Sequence, residues 1–109
     1  HKRIGILASQ TSHLFELHAN ALSQHGLKGV HLMDQQAAVD ELIVLGMRGI
    51  VSQESDQALK KIVLNFANRG CDAIMLGCTE LSLLADQRDF SLPIIDCLEA
   101  ALIKAIRLI

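Results

Sequence analysis

Three consecutive residues, Cys78-Thr79-Glu80, are the part of this chain best suited to chemistry. They follow an apolar run, Ala73 to Leu76, and a glycine, Gly77. The run reads as a strand covered on both faces. Gly77 lets the backbone turn sharply or approach a ligand closely. Cys78 then falls at the strand's carboxyl end, and Thr79 is placed to cap the next turn through its hydroxyl. Ligands of open α/β sheets bind at that rim. A thiol beside a helix's first turn lies near unpaired N–H groups and the positive end of the dipole, and both favour the thiolate. The same N–H groups can hold a carboxylate. One loop would thus carry a proton-transfer thiol and a carboxylate-binding nest. A structural cysteine in a strand-to-helix turn is the alternative that spacing leaves open.

Other reactive side chains are scattered. His13, His18 and His25 share no ligand face and read as surface residues, and His31 reads as a satisfied core or edge histidine. Cys71 and Cys78 lack CxxC spacing, and no histidine pair completes a zinc site. An odd cysteine count does not suggest a disulfide framework, so a reducing cytoplasm is the expected setting. Asp96 ends an apolar pair and is expected near the rim of Cys78, with capping of the last helix as its first role.

The elements that must position these residues read as four strands interleaved with helices. The strands are Arg3–Ala8, Val30–Met33, the run at Ala73–Leu76 and Leu92–Ile95, with Pro93 suited to a strand's first position or an edge. A helix from Ser12 to Gln24 would turn Leu14, Phe15, Leu17, Ala21 and Leu22 inward. Asp34 is placed to cap the next helix, which Arg48-Gly49 closes. Ser52 or Ser55 starts another, with Leu59, Ile62, Val63 and Phe66 at helical spacing. A short helix is expected over Leu81–Ala85, and a final one, Leu98–Ile109, carries an oily face suggesting burial against more than its own sheet. The fold class is therefore α/β, one domain over 1–109, with a parallel sheet and helices on both faces.

Composition removes several functions. Half the residues are hydrophobic and Trp and Tyr are absent, so the core is aliphatic. A formal charge of −2 leaves no basic footprint for nucleic acid. No apolar run is long enough for a bilayer, and no signal-peptide pattern opens the chain. The strand-one loop lacks GxGxxG, which argues against a dinucleotide fold. The first residue is His1 rather than Met, so a processed chain or a fragment is expected.

Gly70 to Glu80 resembles the second cysteine motif of the cofactor-independent aspartate/glutamate racemases, and Glu80 matches their aspartate branch. Ile6 to Ser12 is similar to the strand and hydroxyl-rich loop opening the family's second lobe, with serine at Ser9 and Ser12 where the family has threonine. The resemblance implies a flavodoxin-like lobe with strand order 2-1-3-4. It implies Cys78 as catalytic acid/base, and Thr79, Glu80, Ser9, Ser12 and Arg48 around the substrate. Arg48 has the competing role of meeting helix C-terminal carbonyls. Glu80 has three open roles: orienting Thr79, contacting a substrate ammonium, or favouring the helix N-terminus. No metal, pyridoxal phosphate or nucleotide is implied.

The resemblance spans this whole chain but only the second half of a family member. Inverting Cα needs a base on one face and an acid on the other. The first lobe's cysteine has no counterpart here. The resemblance therefore implies a small amino-acid substrate and either a missing N-terminal lobe or a second copy that turns the pseudo-twofold into a true one. Alone, the chain is expected to be inactive. A non-catalytic binding module, or a related cysteine-dependent decarboxylase or isomerase, is the alternative.

Overall fold

Strand alternation decides where the core lies. Along the first strand, Ile4, Ile6 and then Ala8 point to one side and Leu7 to the other. The central strand repeats the pattern, with Met75 on the first side and Ile74 and Leu76 on the second. Both sides are apolar, so both must be covered. The computed structural model describes residues 2–11, 16–84, 90–96 and 107, excepting the side chains of Leu83 and Leu84. Its elements are β1 (Arg3–Leu7), α1 (Leu17–Gln24), β2 (Lys28–Val30), α2 (Met33–Met47), α3 (Gln53–Asn68), β3 (Ala73–Leu76), α4 (Thr79–Leu84) and β4 (Ile94–Asp96).

The sheet has four strands in the order β2-β1-β3-β4, all parallel, the order the resemblance implies. Ala19 and Leu22 of α1 cover the first face beside Ile4, Ile6 and Met75. The other face is larger and is filled by Val39, Leu42 and Ile43 from α2 and Leu59, Ile62, Val63 and Phe66 from α3. Phe66 reaches the sheet because β1 has no side chain at Gly5, where a Cβ would lie 2.5 Å from Phe66 Cδ1.

α2 and α3 form an antiparallel hairpin. Asp34, in the first turn of α2, is bound by both guanidinium nitrogens of Arg69, just after α3. Arg3 donates its backbone N–H to Asp72 Oδ2 at 2.8 Å, and its side chain reaches the Arg69 carbonyl. These four residues fasten the amino end of the sheet to the hairpin's open end. At the other end Gly46 packs on α4, where a Cβ would lie 2.7 Å from the Glu80 carbonyl. The hairpin tip, with exposed Val44, Met47, Ile50 and Val51, is thus carried to the end where Cys78 lies.

α3 begins in a capping box. Ser52 Oγ accepts from the Ser55 N–H at 3.1 Å, and Ser55 Oγ accepts from the Ser52 N–H at 3.0 Å. α2 closes at Arg48, with Gly49 at φ 69°, and α3 at Arg69, with Gly70 at φ 87°.

Several expected boundaries move. The second strand lies at Lys28–Val30 because Leu32, with φ −107° and ψ 106°, already serves as the N-cap of α2. Asp34 is therefore inside the helix and makes no cap; its carboxylate is committed to Arg69. The last strand begins at Ile94, after Pro93, which has no N–H and contributes only a carbonyl, to Ile74 N at 2.9 Å. Gln10 and Thr11 are already helical, and after residues 12–15 a helix runs from Leu17, which is 61% exposed; Ala19 with Leu22 faces the sheet instead of Leu17 and Ala21. Ser12, Leu14, Phe15, Cys97 and the expected helix over 98–109, apart from Arg107, lie outside the described residues. Among the described residues, no helix is long and apolar enough to cross a membrane.

Candidate active site

The carboxyl ends of β1 and β3 are stitched together. Gly77 N donates to the Leu7 carbonyl at 2.8 Å, and Gln36 Nε2 donates to the Ala8 carbonyl at 2.9 Å. Gln36 is buried and also donates to Asp40 at 2.8 Å, while its Oε1 lies 2.8 Å from His31 Nε2. Every hydrogen-bonding atom of this amide is occupied, as burial demands. Ser9 follows Ala8 directly and is half-buried at the same rim.

Alternation continues past β3. Gly77 faces the α1 side and Cys78 the side of α2 and α4. A Cβ on Gly77 would lie 2.6 Å from His18 Nε2, so the imidazole rests against the glycine. His18 is therefore not a free surface residue; it is half-buried over the turn that presents the thiol. Cys78 is half-buried and packs against the larger apolar cluster. Its carbonyl accepts from Leu81 N at 3.2 Å, which starts α4.

The Cys78 thiol donates to Glu80 Oε2 at 2.6 Å, and Thr79 Oγ1 donates to the same oxygen at 3.2 Å. Two adjacent side chains thus converge on one carboxylate oxygen of the third. The electrostatics follow. Burial pushes the Cys78 thiol up, and the hydrogen bond to Glu80 pushes it further. The Glu80 carboxyl is held down, chiefly because it accepts that bond. This corrects the expectation that the helix terminus favours the thiolate. α4 spans only six residues, and its N–H groups count for less than desolvation and a neighbouring carboxylate.

Asp96 ends β4, opposite Leu76, and its Oδ1 accepts from Ser82 Oγ at 2.8 Å. It lies at the expected rim, tied to α4. Arg48 is exposed at the hairpin tip, two residues beyond the Gly46 contact with Glu80. Its backbone N–H meets the Val44 and Leu45 carbonyls. Cys78, Thr79, Glu80, Ser9 and Arg48 thus share one end of the sheet, and Ser12 lies outside the described residues. Cys71 is buried before β3, at the opposite end, and both Cys71 and Cys78 are free thiols. Among the described residues no three His, Cys, Asp or Glu side chains converge on a metal position.

Sequence reasoning missed His18, Gln36 and Ser82. Gln36 left a signal, because it is a polar residue in the apolar register of Leu32, Val39 and Ile43. His18 left none, since its contact depends on where α1 crosses the sheet. Chemically, the arrangement offers a protonated sulfur at a strand end with a carboxylate beside it.

Several solved structures share this fold, two of them named as racemases. A proposed Asp/Glu racemase from Yersinia pestis has a TM-score of 0.74 and 26% identity, over 87% of this chain and 43% of its own. The aspartate racemase of Picrophilus torridus has a TM-score of 0.73 and 21% identity, over 95% of this chain and 45% of its own. The chain spans less than half the length of either. No curated protein matches it. The Asp/Glu/hydantoin racemase profile matches residues 1–105, across the β1 rim, the Cys78 turn and Asp96, and the chain belongs to that family.

Proposed function

We propose that this chain is one half of an amino-acid racemase of the aspartate/glutamate type, acting without a cofactor through proton transfer at Cα. The observation that carries the reading is the Cys78 thiol held at the strand end in contact with Glu80 and beside Thr79. Racemisation removes the α-proton from one face and returns a proton to the other. Cys78 serves one face. Ser9 and Thr79, both hydroxyl-bearing residues of the rim, bind the substrate carboxylate together with the turn's N–H groups. Such donors stabilise the charge that develops as Cα loses its proton. Arg48 supplies a cation from the hairpin tip.

The second face needs a group that is not among the described residues at this rim. The length of the solved family members supports a companion half, and the exposed Val44, Met47, Ile50 and Val51 at the same end supply apolar surface for it. A second copy of the chain is the other source of that group. The raised Cys78 thiol favours one rival reading, a module that binds a carboxylate without turnover.

Deuterium uptake separates them. Aspartate and glutamate are incubated in D2O with this chain, alone and joined to the preceding half, and Cα is followed by NMR. The joined protein is expected to exchange and invert Cα, and Cys78→Ser to lower that rate by about 100- to 10,000-fold with the fold intact. Inversion of Cα by the isolated chain, rather than exchange with retention, identifies the second copy as the partner. No exchange in any form leaves the binding module.

A further inference from the structure

The carboxyl end of β1 lacks a strand on one side. Backbone groups along a parallel strand alternate between its two neighbours. The Lys2 carbonyl accepts from Lys28 N on the β2 side at 3.0 Å. The Arg3 and Leu7 carbonyls accept from Asp72 N and Gly77 N on the β3 side, each at 2.8 Å. The same alternation turns the Ala8 carbonyl toward the β2 side. There β2 has already ended: its pairing stops with Gly5 opposite Val30, and Leu32 caps α2. Ala8 is fully buried, and an unpaired carbonyl there would be costly.

Gln36, in the first turn of α2, stands in for the missing strand. One N–H of its side chain goes to the Ala8 carbonyl at 2.9 Å and the other to Asp40 Oδ1 at 2.8 Å. Both partners are acceptors, so the amide has a single orientation and its Oε1 faces His31 Nε2, 2.8 Å away. His31 Nε2 therefore carries a proton and donates to Gln36. Asp40 and His31 hold the amide, and the amide holds Ala8. A peptide is planar. What fixes the Ala8 carbonyl fixes the plane of the Ala8–Ser9 peptide, and with it the direction in which the chain enters the Ser9 loop. The other side of β1 is fixed by Gly77, in the turn that carries Cys78.

We infer that Gln36 is a positioning residue for substrate binding: by taking the Ala8 carbonyl where β2 has ended, it sets the Ser9 loop against the Cys78 turn in the register that a substrate carboxylate requires. The inference rests on the racemase reading, in which the Ser9 loop binds that carboxylate. Gln36 acts through Ala8 and is itself buried.

Aspartate binding is measured by titration calorimetry on the chain joined to the preceding half, for the unaltered protein, Gln36→Met and His31→Phe. Gln36→Met keeps the length of the side chain and adds no charge. It is expected to bind aspartate about tenfold more weakly, the scale of one well-placed hydrogen bond. His31→Phe removes a bond to the same amide but leaves the contact with Ala8, and is expected to bind within about twofold of the original. Thermal unfolding registers a loss of stability in both, so stability alone does not decide. Unchanged affinity in Gln36→Met, equal weakening in both variants, or no binding by the unaltered protein overturns the inference. If Gln36→Met fails to fold by circular dichroism, NMR of the unaltered protein decides. Aspartate is then expected to shift the Ser9 backbone amide and the Gln36 side-chain amide together, and a Gln36 amide that does not respond overturns the inference. Calorimetry needs no turnover, so this outcome is read separately from deuterium uptake at Cα.

Discussion

At Gly77 the absence of a side chain makes room for His18. The φ of Gly77 lies outside the left-handed region, so the passage from β3 into α4 does not itself demand glycine, contrary to the expected sharp turn. Gly77→Ala would push a methyl into the imidazole, at an expected cost of about 1–3 kcal/mol. His18→Ala in the same chain should remove most of that cost, as measured by urea unfolding of the two single variants and the double variant. Equal costs with and without His18 would show that the strain lies elsewhere. The position of Cys78 at a strand end was legible, because an apolar run, a glycine and a hydroxyl residue in order leave little freedom. Its protonation was not. That depends on which way the Glu80 side chain turns, and a sequence shows only that Glu80 stands two residues away. Thr79 was expected to cap the next turn through its hydroxyl; it is instead the first residue of α4, and its hydroxyl donates to Glu80.

At the scale of elements, the contact between α2 and α4 matters most for the site. Gly46 is buried, and its backbone sets the distance to Glu80. Gly46→Ala gains helix propensity worth about 0.8–1 kcal/mol. It also places a methyl 2.7 Å from a backbone carbonyl, which a rigid turn cannot easily yield. A net loss of about 1–2 kcal/mol is expected by chemical denaturation, together with a changed alkylation rate at Cys78 as the Glu80 turn shifts. Gly46→Ala as stable as the original, with unchanged Cys78 reactivity, would show that α4 is free to move. The strand Ala73–Leu76 and the helix after Ser52 were readable from local pattern alone. The second strand was not, because His31 and Leu32 are apolar enough in pattern to extend it, while the helix that begins at Met33 claims Leu32. Competition of this kind is settled by tertiary packing rather than propensity.

Across the whole molecule, order β2-β1-β3-β4 puts the Ser9 and Cys78 loops, proposed to carry the chemistry, on adjacent central strands. The opposite end of the sheet carries the Asp34–Arg69 pair, exposed on both sides. Arg69 holds the Asp34 carboxyl at about 2, below its ordinary 3.8. A carboxyl lowered in the folded state stabilises it above the unfolded value and loses that contribution as pH falls. Asp34→Asn should therefore be less stable than the original above about pH 4, and the difference should fade toward pH 2. Thermal unfolding across that range checks it; a constant difference would mean that the pair contributes no charge effect. Neither the pair nor the antiparallel α2–α3 hairpin could be read from the sequence, because Asp34 and Arg69 are far apart in the chain. Helices on both faces and the parallel order were legible, the first from interleaved periodicity and the second from resemblance.

Arg3, Asp34, Arg69 and Asp72 sit a full strand length from the sulfur. A lineage can therefore retune endurance to acid or heat at the amino end while the thiol's surroundings stay as they are. Substitution on that side alters stability without reaching the thiol, whereas substitution at Gly46 or Gly77 presses on the turn that holds it.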